Sequence, residues 1–198
     1  MKLILTRHGE TEENKKGILQ GWLPGHLSFE GRKQAHLLAK QLSSVKIDYI
    51  YTSDLARCAE TAKAIAKYHP KSKFVKDKLL RERALGEFQG KKTGKADWEA
   101  LSGTLLTNKP KNGESFEEVW KRMKEFYRKI TKKHIDDAVL VVGHGGSICL
   151  LQGLVYGKNL SESMKLEKLK NTAISEFEID KKGKYKIVCL NCEKHLYE

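Results

Sequence analysis

Three prolines in 198 residues leave little material for a Pro-rich linker, and no Ser-rich or low-complexity stretch replaces one. Internal repeats are missing too, so the chain reads as one domain spanning residues 1–198. Four cysteines, Cys58, Cys149, Cys189 and Cys192, are too few for a disulfide scaffold. Cys189-Leu190-Asn191-Cys192 has C-x-x-C spacing, but no second Cys/His pair accompanies it, which argues against zinc. Free thiols in a reducing cytoplasm fit the pattern. No apolar run is long enough to span a bilayer, and Leu3-Ile4-Leu5 begins almost at the first residue, leaving no room for a signal peptide. The expectation is a cytoplasmic protein without a membrane partner. No H-E-x-x-H pattern or Asp-rich cluster occurs, and the Gly-rich piece at Gly143 lacks a Walker lysine. Neither a metal nor a cofactor is expected. An arginine-rich tract and nucleic-acid module signatures are also missing, which argues against nucleic acid as a partner.

What the chain does have is positive charge and a core. Lys+Arg total 38 against 25 Asp+Glu, a net charge of +13, while 39% of residues are hydrophobic. Such a charge would attract polyanions or phosphorylated substrates by long-range steering. Most lysines, as at Lys91-Lys92, Lys132-Lys133 and Lys181-Lys182, are spread in a way that suits a solvated surface.

Apolar runs alternate with helical patterns along the chain. Leu3–Leu5, Ile47–Tyr51, Lys73–Lys76 and Val139–Val142 read as strands. Ser28 can cap a helix with Ala35, Leu38, Ala39 and Leu42 on one face, and Ser53 or Asp54 one carrying Leu55, Cys58, Ala59, Ala62, Ile65 and Ala66. A loop-rich region runs from Lys78 to Gly113. Helices are predicted over Glu117–Lys132, with a core stripe from Phe116 to Ile130, and over Gly146–Val155. The tail alternates at Phe177 and Ile179, turns near Lys181-Lys182-Gly183, and alternates again at Tyr185 and Ile187, as a hairpin does. The fold class that follows is α/β: a three-layer α/β/α sandwich on a mostly parallel sheet with an antiparallel edge element.

Parallel strands carry their carboxyl ends to one edge, where open α/β sheets bind ligands. The first strand delivers Arg7 and His8. The second leads through Thr52-Ser53-Asp54 to Arg57, and the Val139–Val142 strand ends in Gly143-His144-Gly145-Gly146. Two arginines, two histidines and the amides opening a helix suit phosphate: guanidinium is a planar fork for its oxygens, and a helix N-terminus favours an anion. A neutral imidazole can attack phosphorus, and the leaving alcohol then needs a carboxyl proton donor. Glu82 and Glu87 both lie in Leu80–Gly90, and spacing does not choose between them.

These pieces together resemble the phosphoglycerate-mutase-like branch of the histidine phosphatase superfamily, over essentially the whole chain and in order. Arg7-His8-Gly9-Glu10-Thr11 runs on to Asn14, followed by Gln20-Gly21. Leu27-Ser28-Phe29-Glu30-Gly31 to Gln34-Ala35, Ser53-Asp54-Leu55-Ala56-Arg57 to Thr61-Ala62, Leu80-Arg81-Glu82, Gly113-Glu114-Ser115 and Val142-Gly143-His144-Gly145-Gly146 continue the family's motifs. The resemblance implies that His8 is the nucleophile and that Glu82, rather than Glu87, is the acid and then the base. It also implies that Arg7, Arg57 and His144 line the phosphate pocket, with Asn14, Gln20, Gly21 and the Gly145 amide adding contacts. Glu114 suits either that pocket or a helix start, where the dipole favours a carboxylate. The expected activity is metal-independent hydrolysis of small phosphorylated metabolites through a phosphohistidine. Cofactor-dependent phosphoglycerate mutase is the first alternative, and a non-catalytic phosphate- or RNA-binding module is the second. Oligomeric state and physiological substrate are not legible.

Overall fold

The computed structural model describes residues 1–197. Six strands form one sheet: β1 (Lys2–Arg7), β2 (Tyr49–Thr52), β3 (Lys73–Lys76), β4 (Ala138–Gly143), β5 (Ile174–Ile179) and β6 (Tyr185–Cys192). Their order is β3-β2-β4-β1-β5-β6. The pairs β3–β2, β2–β4 and β4–β1 are parallel, and β1–β5 and β5–β6 are antiparallel. The expected mixed architecture is thus present, with the hairpin on one edge. The helices are α1 (Glu12–Lys15), α2 (Phe29–Leu42), α3 (Ala56–Ala66), α4 (Phe116–Lys133), α5 (Gly145–Val155) and α6 (Leu160–Met164).

Period-two alternation sends successive strand residues to opposite faces. Leu3 and Leu5 of β1, with Val139 and Val141 of β4, pack on Val119, Met123, Phe126 and Ile130 of α4 and on Ile148 and Leu151 of α5. Ile4, Leu140 and Val142 point the other way, onto Leu38, Ala39 and Leu42 of α2 and Cys58, Ala62 and Ile65 of α3. With helices on both faces, β1 and β4 are buried on both sides, which is why they read as unbroken apolar runs.

One local difference from the sequence reading has a physical cause. The expected cap of α3 at Ser53 or Asp54 is corrected to Leu55, which makes no side-chain capping bond. Both candidate capping groups are engaged elsewhere: Ser53 Oγ meets His144, and the Asp54 carboxylate takes the Arg81 guanidinium at 2.7 and 2.5 Å. The region 78–113 is loop-rich as expected. It holds three 3-10 turns and is pinned by single bridges, Ile18 to Lys92 and Leu85 to Gly113.

The first turn of α2 lies directly on the chain that leaves β1. Ser28 caps the helix through the Gly31 amide and donates to Glu10, while Gln34 accepts from the Glu10 amide. A Cβ on Gly31 would overlap the Glu10 carbonyl oxygen, and one on Gly9 would overlap the Gly31 carbonyl. Gly31→Ala therefore has to push the helix off the strand end. We expect it to lower unfolding free energy by about 1–3 kcal/mol in urea titrations. An unchanged midpoint would show that α2 backs away at no cost.

Candidate active site

Three strand ends meet at one point. Arg7 at the end of β1 stands in register with Gly143 at the end of β4, and the His8 amide donates to the Gly143 carbonyl at 3.0 Å. The Ser53 amide, just past β2, donates to the Val142 carbonyl at 3.1 Å. Beyond this edge opens a cavity of about 400 Å³. Arg7, His8, Asn14, Gln20, Gly21, Arg57, Glu82 and Gly145 all line it. Of the nine residues singled out from sequence, only His144 lies elsewhere.

The tautomer of His8 follows from its neighbour. Nδ1 lies 2.7 Å from the Gly9 carbonyl oxygen, which can only accept, so Nδ1 carries the proton and Nε2 keeps its lone pair. Burial, then the positive charges of Arg7 and Arg57, hold the ring's pKa well below its ordinary value. His8 is a neutral imidazole at physiological pH.

His144 is wholly buried and stands edge-on to His8, with ring centroids 5.3 Å apart. The resemblance implied a place on the pocket wall, but both ring nitrogens are engaged by protein. Arg57 Nε donates to Nδ1 at 3.2 Å, which puts the proton on Nε2 and aims it at Ser53 Oγ, 2.9 Å away. The Cys58 thiol packs beside the ring, 3.3 Å from Nε2, and donates to the Gly143 carbonyl. Burial and the Arg57 charge push the His144 pKa well down as well.

Arg57 is only 1% exposed. Besides His144 it donates to the carbonyls of Gly21 at 2.8 Å and Leu23 at 2.9 Å. That contact explains the bend of the loop at Gly21, whose φ of 52° suits glycine. Arg7 donates from Nη1 to the Leu169 carbonyl, and its buried Nε has no partner among the described residues. An unfilled charged donor in a cavity is what an anion would satisfy. Gln20 donates from Nε2 to Thr11 Oγ1, and Asn14 closes the capping box of α1 with Thr11.

Glu82 reaches the cavity from the loop after β3, and Glu87 does not: its carboxylate takes the Lys111 amide instead. The Glu82 carboxylate is fixed by two backbone amides, Arg83 and Gly146, each at 2.9 Å. The Gly146 amide, expected to face an anion, is therefore used to hold a carboxylate. Glu114 lies outside the cavity. It bonds Arg122 at 3.0 Å through both oxygens and takes the Ala84 amide, so it supports the Glu82 loop rather than the pocket.

Several supporting residues escaped the sequence reading. Arg122 gathers the carbonyls of Leu79, Arg81 and Glu82, and Trp22 Nε1 donates to the Glu82 carbonyl at 2.7 Å. Thr61 Oγ1 accepts from the Gly9 amide at 3.0 Å. Thr61 and Arg122 had a signal in sequence, Thr61 in the motif that follows Arg57 and Arg122 in the helix entry that follows Gly113-Glu114-Ser115, but neither signal gave a role; Trp22 had none. Among the described residues, no group of three His, Cys, Asp or Glu side chains could hold a metal ion, and no helix is long and apolar enough to cross a membrane.

Comparison with known proteins gives a consistent result. The model of the histidine phosphatase superfamily (branch 1) matches residues 3–193. A phosphoglycerate mutase-like protein 4 of Arabidopsis thaliana is 34% identical over 205 residues, covering 100% of this chain and 87% of its own. A metal-independent phosphoserine phosphatase of the same plant is 34% identical, over 86% of this chain and 77% of its own. Among solved structures, a phosphoserine phosphatase of Entamoeba histolytica in complex with 3-phosphoglyceric acid superposes with a TM-score of 0.84 at 26% identity, covering 98% of each chain. With that model matched over nearly the whole chain, and with Arg7, His8, Arg57 and Glu82 at one cavity, the chain belongs to branch 1 of the histidine phosphatase superfamily.

Proposed function

We propose that the chain hydrolyses small phosphomonoesters through a phosphohistidine at His8, with Glu82 as proton donor and acceptor. The observation that carries this is a neutral imidazole with a free Nε2 at a cavity that also holds two arginines and a fixed carboxylate.

The lone pair of His8 Nε2 attacks phosphorus in line, and the bond to the ester oxygen breaks. Glu82 supplies the proton that the leaving alkoxide takes. Nδ1–H remains bonded to the Gly9 carbonyl, which steadies the positive charge the ring gains. Water then attacks the phosphohistidine, Glu82 accepts its proton, and the N–P electron pair returns to Nε2. Arg7 and Arg57 stabilise charge on the equatorial oxygens, each charged hydrogen bond contributing about 1.5–3 kcal/mol. Asn14, Gln20, Gly21 and the Gly145 amide complete the phosphate surround. His144 acts on the phosphate indirectly, by orienting Arg57. No step needs a cofactor.

The cavity volume supports a small phosphorylated substrate rather than a macromolecule. One sheet running from residue 2 to residue 192 supports a single catalytic domain. The free thiols Cys58, Cys149, Cys189 and Cys192 support a reducing compartment such as the cytoplasm.

Purified protein should hydrolyse p-nitrophenyl phosphate in the presence of EDTA. His8→Ala should lower that rate at least ~10³-fold and abolish acid-labile labelling of the protein by radioactive phosphate. Chelator sensitivity, or activity surviving His8→Ala, would overturn the mechanism. Turnover of 3-phosphoglycerate should yield inorganic phosphate; isomerisation to 2-phosphoglycerate would identify a mutase instead.

Glu82→Gln should cost about 10²-fold in kcat on alkyl phosphates and far less on p-nitrophenyl phosphate, whose leaving group needs no proton. An equal loss on both would remove Glu82 from the acid role.

Protonating His8 removes its nucleophilic lone pair, and its lowered pKa moves that event to lower pH. The acid limb of kcat/KM, corrected for substrate ionisation, should therefore lie well below pH 6.5. A limb at or above 6.5 would contradict the neutral imidazole.

A further inference from the structure

Two kinds of buried polar atom stand open at the cavity, and a phosphate group accounts for only one. The Nε of Arg7 is a donor without a partner, as an anion site requires. Oε2 of Glu13 is the opposite: a carboxylate oxygen shut off from solvent that no donor of the protein reaches among the described residues. Glu13 lines the same cavity, and its charge acts on the Arg57 guanidinium. A phosphate cannot satisfy it, because both are negative. Burying an acceptor unsatisfied is costly, and such sites in a binding cavity mark where a ligand supplies the missing partner.

Position reinforces the reading. Glu13 lies in the first turn of α1, five residues past His8, on the segment that runs into Ile18 and Leu19. That segment is fixed against the 89–93 loop by Leu19–Lys91, Gly90–Leu19 and Thr93–Gly17 backbone bonds. Ile18, Leu19 and Leu85 give this part of the wall an apolar surface. Gln20 Oε1 is the other cavity acceptor left without a partner among the described residues, but it is a neutral amide oxygen, so Glu13 is the charged one of the two.

We propose that Glu13 is a specificity-determining residue, accepting a hydrogen bond from an ammonium or hydroxyl group on the alcohol portion of the phosphate ester. Glu13 takes no part in the bond-making steps at phosphorus. The inference rests on the phosphatase reading above, and the test separates the two.

The full-length protein is assayed on phosphoethanolamine, glycerol 1-phosphate and n-propyl phosphate. The first two carry a donor; the third, also an unactivated alkyl ester, carries none. Wild type should favour at least one donor-bearing ester over propyl phosphate in kcat/KM. Glu13→Ala should erase that preference, a loss of about 10- to 100-fold on the favoured ester, and leave propyl phosphate within about twofold. Retained propyl phosphate turnover also shows that the variant folds. Glu13→Gln keeps an acceptor oxygen but not the charge: it should preserve a preference for glycerol phosphate and abolish one for phosphoethanolamine.

Equal activity of wild type on all three esters would overturn the inference. So would a uniform loss in Glu13→Ala, which is the signature of a proton donor or a structural residue. If wild type hydrolyses neither these esters nor p-nitrophenyl phosphate, the phosphatase reading falls first, and the inference falls with it.

Discussion

The site is organised by a guanidinium buried at the point where the sheet ends. Arg57 is almost sealed from solvent, and arginine does not give up its proton in a protein. Its charge has to be met by acceptors, and the backbone supplies them: the loop after Gln20 turns at Gly21 to present two carbonyls, while His144 presents Nδ1. The groups that can yield are the imidazoles. Burial and the adjacent arginines hold His8 and His144 neutral, and a neutral ring at His8 is what nucleophilic attack needs. Loop shape and histidine protonation thus share one cause.

The carboxyl group is held by a different strategy. Glu82 lies in a region without regular secondary structure, so neither helix nor strand fixes it. Charge pairs and carbonyl contacts do the work instead. Asp54, just before α3, holds Arg81, and Arg122 from α4 collects three consecutive-turn carbonyls while Glu114 holds Arg122. Arg81 and Asp54 are each about one-fifth exposed, and Arg122 and Glu114 less, so these pairs are shielded well enough to matter more than surface pairs do. The short motifs around Asp54 and Glu114 make sense as brackets for the loop that carries Glu82 into the cavity.

How much of this was legible depended on range. Apolar periodicity located the six strands and the long helices, because burial on both sheet faces writes itself into consecutive residues such as Val139 to Val142. Spacing brought Arg7, His8, Arg57 and His144 to one sheet edge, because parallel topology fixes where strand ends go. The cap of α3 was misread because Ser53 and Asp54 are good capping residues whose side chains are claimed by partners far away in sequence. Glu114 was ambiguous for the same reason, since its partner Arg122 sits on the following helix. The recess of His144 behind His8 depends on side-chain packing against Ser53 and Cys58, to which no periodicity points.

The wall of the cavity divides by origin. Arg7 and Gly145 come from a strand end and a helix start, where backbone register leaves little freedom: Arg7 cannot move without β1, nor Gly145 without β4. Glu13, Ile18 and Leu85 come instead from α1 and the connections around residues 18 and 85. Among the described residues, none of these three side chains hydrogen-bonds His8 or Arg57. On the proposed reading, one arrangement of histidines and arginines would serve many phosphate esters, and discrimination between them would fall to residues such as Glu13. Its open acceptor belongs to the part of the cavity that the chemistry at phosphorus leaves unexplained.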